Sequence, residues 1–87
     1  MEIDDAVVAA LGVPGVVGLH AGVLGTATTY LPGRSVVGIA LRADGTEVHL
    51  VVTADADLRG VAAGVHAALE RVGAPRPVRV HIGALRA

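Results

Sequence analysis

The chain has 87 residues, a net charge of −1 and no cysteine. These values predict one domain over residues 1–87, and they exclude disulfides, thiolate chemistry and cysteine-containing zinc sites. With seven basic residues against eight acidic ones and a single aromatic residue, the chain lacks the basic surface and the stacking platform that nucleic-acid binding uses, so no nucleic-acid partner is expected.

The N-terminal segment predicts a short helix. Residues Ile3–Leu11 carry apolar side chains at helical spacing, with Asp4 as the expected N-cap and Gly12 as the expected stop. The uncharged run 6–33 is interrupted by glycines and prolines, so no membrane-spanning helix is expected. A small domain without disulfides, and without a basic segment before this run, is expected in the cytoplasm.

The next segments alternate between short strands and turns. A strand is predicted at residues 16–20, followed by a glycine- and threonine-rich loop over 21–33 with a short extended piece at 26–30. Residues 35–42 and 46–53 alternate apolar and polar side chains, and a tight turn between them predicts a β-hairpin.

Alternation also assigns the two faces of this hairpin. The residues expected to point inward are Val37, Ile39, Leu41, Val48, Leu50 and Val52. The opposite face is expected to carry Val36, Gly38, Ala40, Arg42, Glu47, His49 and Val51. Val36, Ala40 and Val51 would make that outer face unusually apolar for a surface in water.

The C-terminal third predicts a helix over residues 58–72 with Asp57 as its N-cap and Gly73 after its end. A final strand is expected at 77–83. The predicted order is therefore α-β-β-β-α-β. Since a strand–helix–strand unit crosses over right-handedly, the prediction is an α+β fold, a small mixed sheet with two helices packed on one face.

This order of elements resembles the alkaline shock protein family of bacterial envelope stress response proteins, also called the Gls-type general stress family. The resemblance rests on Val13-Pro14-Gly15-Val16, Gly18-Leu19, Gly38-Ile39 and the segments 48–52, 61–72 and 78–82. It implies a self-associating, non-enzymatic cytoplasmic protein that a separate anchor protein holds near the membrane. It carries over no catalytic residues.

The histidines are the main candidates for metal chemistry in a chain without cysteine. His49 and His81 are both expected on the outer sheet face, where they could approach each other if their strands are neighbours. Glu47 is the nearest carboxylate, but a metal site needs three or four ligands in tight geometry. Solvent-facing histidines are therefore the favoured interpretation, and no metal or cofactor is expected.

The expected function is that of a protein interaction module, a homo-oligomer or a domain that docks on a membrane-anchored partner. The candidate interaction residues are Tyr30, Arg34, Val36, Ala40, His49, Val51, Arg79 and His81. An alternative is a small-ligand-binding or regulatory domain in which the 21–34 loop acts as a lid and Arg34 contacts the ligand. No catalytic motif is present, so an enzyme is not expected.

Overall fold

A central nine-residue strand organises the protein. The computed structural model describes residues 1–87 and contains two α-helices, six β-strands and one 3-10 turn at Val23–Gly25. The helices are α1 (Ile3–Leu11) and α2 (Leu58–Arg71). The strands are β1 (Val16–Leu19), β2 (Thr28–Leu31), β3 (Arg34–Val37), β4 (Ile39–Arg42), β5 (Gly45–Thr53) and β6 (Val78–Arg86).

Strand β5 is paired along both edges, which makes the main sheet mixed. One edge pairs in parallel with β6, from Thr46 opposite Val78 to Thr53 opposite Arg86. The other edge is shared by two antiparallel strands, β4 along its first half and β1 along its second half. The predicted α+β class with a small mixed sheet is confirmed.

Both helices cover the same face of this sheet, and the core lies between the two layers. The fully buried side chains on β5 are Val48, Leu50 and Val52, as the alternation predicts. The helices contribute the largest part of the opposing layer through Ile3, Ala6, Ala10, Val61, Val65 and Leu69. Neither helix is long and apolar enough to cross a membrane.

The structure has five strands between the helices, where three are predicted. The segment 28–31 is a full strand that pairs with β3 in a separate two-stranded sheet. The predicted single strand over 35–42 is interrupted at Gly38, whose φ is +94°. Gly38 donates its N–H to the Ala27 carbonyl at 2.6 Å and accepts the His49 N–H at 2.9 Å. Because that backbone conformation favours glycine, the chain changes sheets at this position.

This interruption changes the side-chain directions in β3 but not in β4, where Ile39 is fully buried in the core as predicted. Val37 and Leu41, which are predicted to point inward, are 46% and 41% exposed. Val36 and Ala40, which are predicted to face solvent, are buried. Val36 packs in the core, and Ala40 is covered because Thr29 bonds to the backbone on both sides of it, at Ile39 O and Leu41 N. The face assignment is therefore wrong for Val36 and Val37. In β4 the register partners are those predicted, with Ile39 beside Val48 and Ala40 beside Glu47, and only the expected exposures of Ala40 and Leu41 are wrong.

Val51 is also buried, with 8% of its surface exposed, although it lies on the sheet face away from the helices. Val51 lies on β5, which has a neighbouring strand on each edge. The register partners of Val51 are Gly18 on β1 and Ala84 on β6. A Val51→Arg substitution would place a charge among these neighbours and would destabilise the fold, so Val51 is part of the packed structure and not of a free surface.

The helix ends agree with the prediction in α2 and differ in α1. Asp57 is the N-cap of α2, and Gly73 follows its end with a φ of +85°. In α1 the N-cap is Glu2 rather than Asp4, and the Glu2 N–H donates to the Asp5 carboxylate at 3.2 Å. The Asp4 carboxylate instead accepts two hydrogen bonds from a distant arginine, described below.

We predict that Gly38→Ala destabilises the protein by about 3 kcal/mol or more, because it adds steric overlap to backbone strain. A Cβ at Gly38 would lie 2.4 Å from the Leu19 Cβ. The matched control is Gly33→Ala, which has a φ of +78° but no atom within 4 Å of the added Cβ. Strain alone should cost that variant about 1 kcal/mol. Urea unfolding compares the two, and equal losses would show that the crowding at Gly38 is unimportant.

Candidate functional site on the histidine face of the sheet

The sheet face opposite the helices carries a cluster of polar side chains that includes a group of three potential metal ligands. We call it the histidine face and define it by Glu47 and His49 of β5 and Arg79 and His81 of β6. The parallel register places Glu47 beside Arg79 and His49 beside His81. Of the predicted interaction residues, the structure therefore brings together His49, Arg79 and His81.

The other predicted interaction residues lie elsewhere. Tyr30 is 79% exposed on β2. Arg34 begins β3 and donates two hydrogen bonds to the Asp4 carboxylate, at 3.0 and 3.1 Å. Val36, Ala40 and Val51 are buried, so they are not available to a partner in the folded chain. The predicted set is therefore not one continuous surface.

The two histidine rings stack on each other. Their centroids are 4.4 Å apart and their planes differ by 16°. Both Nε2 atoms approach the same carboxylate oxygen, Glu47 Oε1, at 3.3 Å from His81 and 3.7 Å from His49. His81 is about half exposed, whereas His49 and Glu47 are mostly covered. The cluster thus has one accessible member and two that neighbouring strands hold in place.

An arginine holds Glu47 in its charged form. Arg42 donates its Nε–H to Glu47 Oε2, and this bond is the main reason why the pKa of Glu47 lies below its usual range. The nearby charges of His81 and Arg79 act in the same direction. Arg79 itself donates to Asp44 Oδ1 at 3.2 Å, which turns its charge towards the β4–β5 turn. Glu47 Oε1 is therefore left for the histidines.

Burial favours the neutral form of His49. Loss of contact with water is the main cause that holds its pKa below 6.5, and the neighbouring charge of His81 adds to this effect, while Glu47 opposes it. A neutral imidazole offers a lone pair, which makes it available as a metal ligand or proton acceptor near neutral pH. At such a pH the cluster therefore combines a carboxylate and a neutral imidazole.

Sequence reasoning missed two contacts beside the histidine face, those of His20 and Arg42. His20 follows β1 and lies over Gly83, where an added Cβ would come within 2.8 Å of the His20 ring. Its Nδ1 accepts the Gly22 N–H at 3.0 Å. The Arg42–Glu47 pair was also not anticipated, although antiparallel pairing of β4 with β5 brings these residues near each other. The available signal was the alternation of the hairpin, which places Arg42 on the same face as Glu47 and His49.

Two surface grooves lie on the opposite side of the molecule. The larger, of about 810 Å³, runs between α1 and α2, with Val8, Val13 and Val72 along it and Asp5 and Arg71 among its polar lining residues. The smaller is formed by the segment after α1 and the start of α2. Residues 21–34 line neither groove, so the alternative of a ligand site under that loop gains no support from them.

No protein-family model matches this chain, and comparisons with curated proteins and with solved structures give no significant match either. The resemblance to the alkaline shock protein family therefore stays a prediction that rests on the motifs themselves.

We predict that acidification destabilises the protein through His49. Because the folded-state pKa of His49 is depressed below 6.5, its contribution to stability is fully present above that pH. It is lost as the pH falls through the folded-state pKa, since the unfolded chain then binds more protons. The lowered pKa of Glu47 acts in the same sense, but only below 4.5. Free energies of unfolding from urea titrations in chelator-containing buffer, between about pH 7.5 and about pH 5, measure the effect.

The variant His49→Gln removes the titrating group and should lose less stability over this pH range than the wild type. A variant that loses as much stability as the wild type would show that other groups cause the pH dependence.

Proposed function

We propose that this protein is a non-enzymatic interaction module that associates with a second copy of itself through the outer edge of β6. Antiparallel pairing of two β6 strands would join two four-stranded sheets into one. Such an arrangement is isologous, with the same edge used by both copies, as in most homodimers. In this proposal the contact surface of the expected homo-oligomer is the outer edge of β6.

The unpaired edge of β6 is the observation that carries this proposal. The strand is nine residues long and pairs only with β5. No backbone or side-chain hydrogen bond in the structure reaches its outer edge. A strand edge of this length presents a row of unpaired N–H and C=O groups, which is a template for pairing with another chain.

The side chains of β6 also favour pairing. Most residues between Arg79 and Arg86 are apolar, and Leu85 is 54% exposed. Natural proteins protect such edges with lysine, proline or bulges. In β6 the only such features within the strand are the irregularity at Gly83 and the arginines near its ends. Association would remove apolar surface from water and satisfy the exposed backbone groups together.

Docking on a membrane-anchored protein is a second candidate role, which would place the chain in the cytoplasm close to a membrane. The groove between α1 and α2 favours it, because Val8 on this groove is 71% exposed. This groove and the β6 edge lie on different elements, so a chain could use both at once. The link to envelope stress rests on the family resemblance.

Sedimentation velocity over a concentration series from about 1 µM to about 1 mM tests the proposed self-association. We expect a concentration-dependent change from monomer to dimer, with slower amide hydrogen exchange in β6 at the higher concentrations. Leu85→Lys should weaken the dimer by about tenfold or more, because a lysine on an edge strand opposes strand pairing.

Val8→Lys is the matched control, since it places the same charge at an exposed apolar position on α1. It should leave the dimer unchanged. A monomer at every concentration would overturn the proposal, and so would a dimer that Val8→Lys weakens as much as Leu85→Lys.

A further inference from the structure

We infer that Glu47, His49 and His81 form a site for one transition-metal dication, with Zn²⁺ as the representative ion. The inference is independent of the proposed self-association, because all three ligands belong to one chain. It departs from the sequence-based expectation of no metal, which rested on the need for three or four ligands in tight geometry.

The backbone places these three side chains without the help of a flexible loop. Glu47 and His49 are two residues apart on β5 and therefore project from the same face. His81 is the register partner of His49 on β6. Since β5 is hydrogen-bonded along both edges, the first two ligands sit on the most constrained strand of the molecule. Sites on regular strands hold ligand geometry better than sites on loops.

The distances suit a single ion. A zinc ion with bonds of about 2.0–2.1 Å in a tetrahedral arrangement keeps its donor atoms roughly 3.4 Å apart. Glu47 Oε1 lies 3.3 Å from His81 Nε2 and 3.7 Å from His49 Nε2. One donor atom from each of the three side chains lies within 4.8 Å of the others. The spacing of the donor atoms therefore matches that of a single ion.

His81 is the side chain that must adjust. The stacked rings differ by only 16°, so their in-plane lone pairs run nearly parallel instead of meeting at one point. His49 is mostly covered, but 47% of the His81 side chain is exposed, and nothing in the structure hydrogen-bonds its ring apart from the contact with Glu47. Rotation of His81 about its Cβ–Cγ bond would direct its Nε2 towards the ion.

The charged residues around the site orient Glu47 and balance the nearby positive charge. Arg42 donates a hydrogen bond to Glu47 Oε2, and this bond orients the carboxylate so that Oε1 faces the histidines. Outer partners of this kind fix ligand orientation in known metal sites. The nearby cation of Arg79 is balanced by Asp44. His20 is not a fourth ligand through Nδ1, since that atom accepts the Gly22 N–H.

Donor chemistry selects the class of ion. Two imidazoles and one carboxylate suit Zn²⁺, Co²⁺, Ni²⁺ or Cu²⁺, whereas Mg²⁺ and Ca²⁺ prefer oxygen ligands alone. Three protein ligands leave at least one position for water, because tetrahedral zinc takes four ligands. The site is therefore of the open type that exchanges a ligand with solvent.

Isothermal titration of the untagged, chelator-treated protein with Zn²⁺ tests the inference, and Co²⁺ absorption reports the coordination geometry. We expect one ion per chain with a dissociation constant of about 10 µM or below. His81→Gln should weaken binding by at least about tenfold, the scale on which changes around metal ligands act. This residue is chosen first because its exposure makes loss of the fold a minor concern.

His66→Gln is the matched control, because His66 lies 3.7 Å from Glu70 on α2 and forms a histidine–glutamate pair without a third ligand. It should bind Zn²⁺ as the wild type does. Nuclear magnetic resonance of the wild type gives a second measurement that needs no variant. Zn²⁺ should shift the ring signals of His49 and His81 and leave those of His66 in place.

Three results would overturn the metal site. They are the absence of saturable binding up to about 1 mM Zn²⁺, an unchanged affinity in His81→Gln, and equal weakening in His66→Gln. Uniform shifts of all histidine signals would have the same meaning, since they would indicate non-specific binding to exposed imidazoles.

Discussion

The pairing of β5 along both of its edges is the constraint on which the rest of the structure depends. It fixes the direction of every side chain on that strand, so that Val48, Leu50 and Val52 enter the core while Glu47 and His49 face away from it. The same strand therefore supports the hydrophobic layer and the candidate site. A change that loosened its pairing would affect both, because a strand that slips by one residue exchanges its two faces.

Glycine at a few positions lets other parts of the chain approach this strand. Gly38 allows the chain to leave one sheet and enter the other, and its carbonyl still accepts the His49 N–H. Gly83 leaves room for the ring of His20. Three strands, β1, β4 and β6, thus pair with β5 in a chain of 87 residues. The polar cluster thus lies on one face of the sheet, while the hydrophobic core lies between the other face and the helices.

The proposed metal site and the proposed dimer depend on opposite edges of β6. Its inner edge aligns His81 with His49, and its outer edge is unpaired. Self-association would occupy the outer edge without needing the ligand atoms, which all belong to one chain. The exposed side of His81 nevertheless lies on the strand that would form the dimer. Metal binding and association are therefore separable by measurement, although they share one structural element.

The amino-acid sequence by itself determined the two helices and the strand β5. Apolar periodicity predicted α2, alternation predicted the inward residues of β5, and Asp57 and Gly73 marked the ends of α2 because capping depends on neighbouring residues. Only the tertiary structure decided the burial of Val36 and the stacking of His81 on His49. Both depend on which distant segments pair and in what register, and the alternation of a single segment does not contain that information.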